Sequence, residues 1–231
     1  MFYLKIKRLI DIILSAVGLI ILSPLFLIIF LAIKIDSKGP AFIWQKRVGI
    51  HKEHFNILKF RSMSIDAPVD IPTHLLENPD EWSSKLGKFL RKTSLDELPQ
   101  IINILKGDMS IVGPRPALWN QFDLIAERDK YGANDVPVGL TGWAQINGRD
   151  ELEIEVKAKY DGEYAQNMGF LMDLKCFFGS FTAVLKADGY VEGGTGDMDN
   201  QDLDDILTSE DKKSQSEEAV ENEEDINHGP E

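Results

Sequence analysis

The chain has a single cysteine, Cys176, among its 231 residues. That excludes an intramolecular disulfide and a cysteine-cluster zinc site. Placed between Leu174 and Phe177, the thiol reads as a buried core group. Histidine is also scarce, at four residues. His51 and His54 lie three apart, but no further His or carboxylate follows at helix-face spacing, so they read as loop or strand residues and not as metal ligands. A basic excess is missing as well. The formal charge of −13 comes from the end of the chain, where residues 187–231 carry 16 acidic side chains against Lys212 and Lys213. The body before it holds 23 basic and 22 acidic residues. A body so close to neutral argues against nucleic acid as a partner, since phosphate-backbone binding needs a clear surplus of cations.

Charge is absent altogether from Ile12 to Ile33, a run of 22 residues bounded by Lys5, Lys7 and Arg8 before it and by Lys34 and Lys38 after it. As a helix it would be about 33 Å long, enough to cross a bilayer core. A cleaved signal peptide fits poorly, because its apolar region would be shorter and would end at a small-residue cleavage site. Two readings stay open: a spanning helix, and a re-entrant helix-break-helix that enters and leaves by one face. Ser23-Pro24 at the middle of the run favours the second, since proline removes a helical hydrogen bond. So do the basic residues at both ends, which give no inside–outside vote. Asp11, one turn after Lys7 and Arg8, suggests an ion-paired anchor at the interface.

The remainder is expected to be a small α/β domain, helix-rich with short strands, over residues 36–188. Residues 41–66 alternate β-branched, aromatic and basic residues as short strands do. Residues 67–83, with Pro68, Pro72 and Pro79, read as a loop. Helices are expected over Leu86–Arg91, over Pro99–Lys106 with Gly107 as the stop, over Leu118–Lys130, over Glu151–Asn167 and over Phe170–Lys186. Gly113-Pro114-Arg115-Pro116 reads as a rigid turn. From 189 to 231 the composition is acidic and poor in apolar residues, which predicts a disordered tail dispensable for catalysis. Gly193-Gly194-Thr195-Gly196 is followed by no Lys-Ser/Thr pair and reads as linker, not phosphate loop.

The densest chemical cluster is Arg91-Lys92-Thr93-Ser94-Leu95-Asp96-Glu97-Leu98-Pro99-Gln100. Ser94-x-x-Glu97 has the form of a capping box, which by itself accounts for Ser94 and Glu97. It leaves Asp96 unexplained. In the first turn of a helix Asp96 would sit where free N–H groups favour negative charge and phosphate. Neighbouring carboxylates on a helix point apart, so one is free to be nucleophile or metal ligand while the other does acid/base or supporting work. Arg115, between two prolines, is a cation with little backbone freedom, as bidentate phosphate recognition requires. Lys59, Arg61 and Arg149 are further cations on strand or loop segments.

These motifs resemble the bacterial sugar transferase family, the monotopic phosphoglycosyl transferases that begin capsule, exopolysaccharide and glycoprotein-glycan assembly. The resemblance runs from about residue 4 to 188 and rests on Arg91 to Gln100, on Leu-Lys-Gly-Asp-Met-Ser-Ile-Val-Gly-Pro-Arg-Pro at 105–116, and on Thr-Gly-Trp-Ala-Gln-Ile-Asn-Gly-Arg at 141–149. Lys7-Arg8-x-x-Asp11, the Ser23-Pro24 break and Lys59-Phe60-Arg61-Ser62-Met63 match as well. It implies that Asp96 is a nucleophile with Glu97 as its dyad partner, and that Asp96 and the substrate diphosphate hold Mg²⁺. Lys59, Arg91, Arg115 and Arg149 would lie near the phosphates. The implied reaction takes a sugar-1-phosphate from a UDP-sugar, of N-acetylated hexosamine type, to polyprenyl (undecaprenyl) phosphate through a phosphosugar-aspartate, with UMP released. The implied place is the inner membrane, with residues 1–35 re-entrant and the catalytic domain facing the cytoplasm; a homodimer is allowed. One departure stands out. The family usually carries Arg-Pro-Gly before the Thr-Gly motif, where this chain has Val136-Pro137-Val138-Gly139. A membrane-anchored scaffold without catalysis is the main rival reading, and the intact Asp96-Glu97 pair argues against it.

Overall fold

The computed structural model describes residues 2–67, 82–148 and 152–186. Arg149, nearly all of the expected 67–83 loop, and the acidic tail lie outside the described residues. The element that sets the architecture is α1, Phe2–Asp36, a 35-residue helix. It is long and apolar enough to cross a membrane, and only 11% of its most apolar window is buried by the rest of the chain. Leu9, Ile13, Val17, Ile20, Ile21, Leu27 and Ile28 all stand exposed along it. An apolar surface of that extent marks contact with lipid or with a partner.

A break was expected at Ser23-Pro24, and α1 instead continues through it. Pro24 removes the N–H that would bond the Ile20 carbonyl, and the Ser23 hydroxyl donates to that same carbonyl at 2.8 Å. The replacement bond lets the helix run on. The anchor residues also find other partners than expected. Lys7 pairs with Asp173, not with Asp11. Arg8 donates to the carbonyls of Ile104 and Leu105. Asp11 accepts from the Ser110 hydroxyl at 2.8 Å and the Ile111 amide at 3.0 Å. These contacts bind the first turns of α1 to the domain. The last turns bind it too: Ile29 and Ile33 are buried with Phe60 and Leu90, and Phe26 packs on Phe60 at 5.4 Å between ring centroids. Each such side chain withdrawn from water contributes about 2 kcal/mol.

Strands β1 (Phe42–Val48) and β2 (His54–Phe60) form an antiparallel hairpin in which Phe42 faces Phe60. Arg61, just past β2, donates to Ser37 and to the Lys38 carbonyl, so it ties the end of α1 to the hairpin. Helix α2 (Lys85–Lys92) is capped by Ser84, whose hydroxyl accepts from the Gly87 amide. A tight 3₁₀ turn, Leu95–Glu97, leads into α3 (Gln100–Lys106), which ends on Gly107 at φ 104°. That left-handed cap is where glycine was expected to stop the helix. Asn103 of α3 is buried; it accepts from the Leu58 amide and donates to the Asn56 carbonyl, which locks α3 against β2.

Strands β3 (Ser110–Val112) and β4 (Gly139–Thr141) pair in parallel. Between them, α4 covers Phe122–Asp129 and starts four residues later than expected. Leu118 is held instead in an antiparallel bridge to Arg47, and its amide bonds the Gln121 side chain. A short α5 (Trp143–Ile146) precedes α6 (Ile154–Asn167) and α7 (Phe170–Lys186). Val136 and Val138, standing where the family's cation is missing, are buried in the core. Cys176 is buried as expected.

Asp173 on α7 joins these parts. One oxygen accepts from Tyr3 and Lys7, the other from the Tyr164 hydroxyl at 2.7 Å. Asp173→Ala would leave the Lys7 ammonium, 4% exposed, without its counter-charge. The expected loss is about 3–5 kcal/mol, read by denaturant unfolding in detergent micelles. A loss under about 1 kcal/mol would show that the start of α1 is held by its other contacts.

Candidate active site

The 3₁₀ turn places the two carboxylates. Ser94 adopts φ 55°, ψ 20°, a left-handed conformation that turns the chain sharply out of α2. With about three residues per turn in the 3₁₀ form, adjacent side chains diverge by roughly a third of a turn, so Asp96 and Glu97 face different neighbours. The expected capping box is not formed: the Ser94 side chain makes no capping hydrogen bond. Glu97 is occupied by cations instead. Arg115 grips it with both terminal nitrogens, one bond measuring 3.0 Å, and the Lys59 ammonium lies 3.2 Å from the same carboxylate.

Arg115 is held from behind as its flanking prolines predict. The Pro114 carbonyl accepts from the Gly139 amide at 2.8 Å, and the Pro116 carbonyl from Arg47 at 3.0 Å. The Arg115 carbonyl itself accepts from Arg128 at 2.9 Å. Glycine is required where this turn meets the β4–α5 turn. A Cβ on Gly142 would sit 2.1 Å from the Gly113 carbonyl oxygen, and one on Gly139 2.1 Å from the Gly113 amide nitrogen. The Gly-Pro-Arg-Pro and Thr-Gly-Trp motifs are therefore neighbours in space because no side chain separates them.

The electrostatics of the pair are unequal. Burial of Asp96 raises its carboxyl, and the adjacent Glu97 charge raises it further, while Lys59, Arg115 and Arg91 act through space in the opposite sense; the outcome is about 6. Burial also works against the charge on Glu97, but Arg115 and then Lys59 outweigh it and hold that carboxyl well below the usual range. Burial lowers Lys59, against the pull of Glu97. Glu97 is thus a fixed anion that positions two cations, while Asp96 is the carboxyl of the pair that burial holds above its usual range.

Both line a cavity of about 810 Å³. Its charged end also holds Lys59, Arg91 and Arg115, so four of the sequence-predicted site residues meet Asp96 in one space. Leu14, Val17 and Leu22 of α1 and Phe177 and Phe181 of α7 form an apolar wall of the same cavity. His51 does not join it, pairing with Asp135 at the surface. No three His, Cys, Asp or Glu residues among the described residues are grouped to hold a metal.

Sequence reasoning missed Arg47, Arg128 and Asp161, all on the cavity wall. Arg128 and Asp161 form an ion pair 3% and 1% exposed. A signal exists in hindsight: Arg128 follows Leu124 by one helical turn, and both are buried. A charge at an apolar-face position of a helix needs a buried partner.

Compared with known proteins, residues 2–187 match the family described as bacterial sugar transferase. The chain belongs to that family. It is 38% identical over 185 residues to an uncharacterized sugar transferase, EpsL, of Bacillus subtilis, covering 80% of this chain and 89% of that one. It is 39% identical over 186 residues to the UDP-glucose:undecaprenyl-phosphate glucose-1-phosphate transferase of Escherichia coli, covering 75% and 39%. It is 35% identical over 198 residues to the undecaprenyl-phosphate galactose phosphotransferase of Salmonella typhimurium, covering 80% and 41%. The chain therefore spans about two-fifths of the last two, and 42% of a similar uncharacterized sugar transferase of Haemophilus influenzae. The hexosamine expectation finds no support here, since the sugars in these names are glucose and galactose.

Proposed function

We propose that this chain transfers a sugar-1-phosphate from a UDP-sugar to polyprenyl phosphate, the first membrane step of polysaccharide or glycoconjugate assembly. The observation that carries the reading is one cavity with two kinds of wall. A buried carboxylate beside Lys59, Arg91 and Arg115 lies at one end, and the apolar side of α1 forms another wall. A diphosphate needs the first, and a lipid-borne acceptor needs the second. The relatives named for transfer to undecaprenyl phosphate support the same reaction.

In the first step an Asp96 carboxylate oxygen attacks the phosphorus next to the sugar. The bond to the bridging oxygen breaks and UMP leaves with the electron pair, giving a sugar-phosphoryl-aspartate. In the second, an oxygen of polyprenyl phosphate attacks that phosphorus. The bond to Asp96 breaks, the carboxylate is restored, and a polyprenyl-diphosphate-sugar is released. Lys59, Arg91 and Arg115 offset the charge on the equatorial oxygens, and Glu97 keeps Lys59 and Arg115 aimed at them. Arg149 is assigned to the same phosphates by its motif alone. Mg²⁺ suits a site with one available carboxylate, because it commonly takes one or two carboxylates and completes its shell from substrate phosphates and water. Bound by Asp96 and the diphosphate, it would supply further charge neutralisation.

For the membrane arrangement we keep the re-entrant path with both ends on the cytoplasmic side of the inner membrane. Although α1 is helical through Ser23-Pro24, its first turns and its last turns both bond the same domain, which supports that reading. Single cysteines at Lys5 and Ser37, in a chain with Cys176 replaced by alanine, should both react with an impermeant maleimide from the cytoplasmic face only. Labelling from opposite faces would overturn the topology. The function itself is tested by screening UDP-sugars for UMP release with a polyprenyl phosphate acceptor. No release with any of them would refute it.

A further inference from the structure

Beyond the phosphate end, the cavity has a second polar group that the transfer chemistry leaves unused. Among the described residues, Ser15 Oγ, Thr141 Oγ1, both amide atoms of Gln145, and Asp161 Oδ1 are buried without a hydrogen-bond partner, and all four residues line this cavity. Ser15 belongs to the α1 wall. The other three come from β4, α5 and α6, beside the Arg115 turn. Asp161 is informative because its ion pair is lopsided. An arginine–carboxylate pair commonly uses both oxygens, yet Arg128 puts Nε at 2.9 Å and Nη2 at 2.6 Å on Oδ2 alone. The reason is that Nη2 also donates to the Arg115 carbonyl. Oδ1, on a residue 0% exposed, is left over.

Buried polar groups are nearly always satisfied, so several unsatisfied ones lining one cavity call for an occupant. The chemistry of the set is specific. A carboxylate oxygen accepts, an amide both donates and accepts, and a hydroxyl does either. Two cations face Asp161: Arg128, which is already committed, and Lys157, one turn earlier on α6, which acts on it through space. The unused carboxylate oxygen itself repels an anion. That suits a neutral group rich in hydroxyls, not another phosphate. Its place is defined by two ties to the Arg115 turn. The Arg128 bond is one. The other is the Gly113 amide, which donates to the Thr141 carbonyl at 2.8 Å.

We infer that Asp161, Thr141 and Gln145 form the subsite that reads the hydroxyls of the transferred hexose. Arg128 is a positioning residue that holds Asp161 in place and props the Arg115 turn. The inference rests on the transfer reading above, because it takes the occupant to be the sugar attached to the diphosphate. Two sources of hydroxyls adjoin that diphosphate, the hexose and the ribose of the nucleotide, and the test separates them.

The variants are Thr141→Val and Gln145→Met, near-isosteres that remove polar atoms bonded to nothing in the protein. For that reason the melting temperature in detergent should stay the same or rise. The KM for UDP-glucose or UDP-galactose, whichever the wild-type chain turns over faster, should rise about tenfold for each variant. Inhibition by UDP, which has the ribose and no hexose, should stay within about twofold of wild type. Equilibrium dialysis of the UDP-hexose and of UDP reads the same affinity ratio without turnover. An unchanged ratio with a lowered melting temperature would overturn the subsite and show an internally hydrated wall. A matching loss for UDP would overturn the hexose assignment in favour of the ribose. Failure of the transfer reading shows differently, as absence of UMP release from the wild-type chain.

Discussion

Asp96→Asn should abolish covalent adduct formation and lower turnover by on the order of 10⁴-fold or more, as expected when the nucleophile of a two-step transfer is removed. Wild-type chain incubated with UDP-glucose or UDP-galactose and Mg²⁺, without lipid acceptor, should gain one sugar-phosphate mass on a peptide containing Asp96. UMP should then appear in stoichiometric and not catalytic amount. The substitution keeps size and shape, so a folded, inert protein is the expected product. The adduct should also depend on pH in one direction. Only the ionised carboxylate attacks, and burial together with the Glu97 charge raises Asp96 to about 6. The single-turnover rate should fall about tenfold per unit below that value and level off above it. UMP release by the Asp96→Asn variant within about tenfold of wild type would place the nucleophile elsewhere. Release that strictly required the lipid, with no adduct, would replace the two-step path by direct transfer.

Glu97→Gln should lower kcat/KM by about 10²–10³-fold, the range seen when a preorganised electrostatic group is lost. The cause is indirect. The substituted side chain is neutral, and an amide cannot accept from Lys59 and both nitrogens of Arg115 as the carboxylate does. The released cations have Asp96 as their nearest remaining anion, and pairing with it would hold the nucleophile back. A second consequence has a definite sign. Glu97 is the charge that raises Asp96, while Lys59, Arg115 and Arg91 lower it. Removing Glu97 therefore moves the midpoint of the pH profile to lower pH even as the plateau falls. An upward shift, or an unchanged midpoint with unchanged rate, would show that Glu97 does not govern its neighbour.

Glu97 also shows where reading along the chain stops. Its i, i+3 relation to Ser94 predicts a capping box, and that box is part of why the sequence favours Asp96 as the free carboxylate. Glu97 is indeed taken, but by Lys59 and Arg115, 38 and 18 residues away. Local hydrogen-bond patterns see only near neighbours, and the backbone dihedrals of one residue decide the matter: with Ser94 in the left-handed region, its side chain makes no cap bond. The expected start of α4 differs for a similar reason, since the helical pattern of 118–121 is overridden by the bridge from Leu118 to Arg47.

Other features were legible because their causes are local. The charge-free run of 22 residues is helical as expected, though unbroken at Ser23-Pro24. The short strands of 41–66 followed from alternation while their pairing did not, and Gly107 stops α3 because its left-handed φ costs glycine little. Family membership was equally legible, since the motifs are contiguous in the chain. What tertiary structure alone decided is how distant charges pair. Whether Asp11 meets Lys7 or Ser110, whether Arg128 meets Asp161, and which of two adjacent carboxylates is neutralised all depend on which segments pack together. Burial makes each of those pairings obligatory, because an unpaired charge away from water is too costly to leave, and only the folded chain determines what is buried.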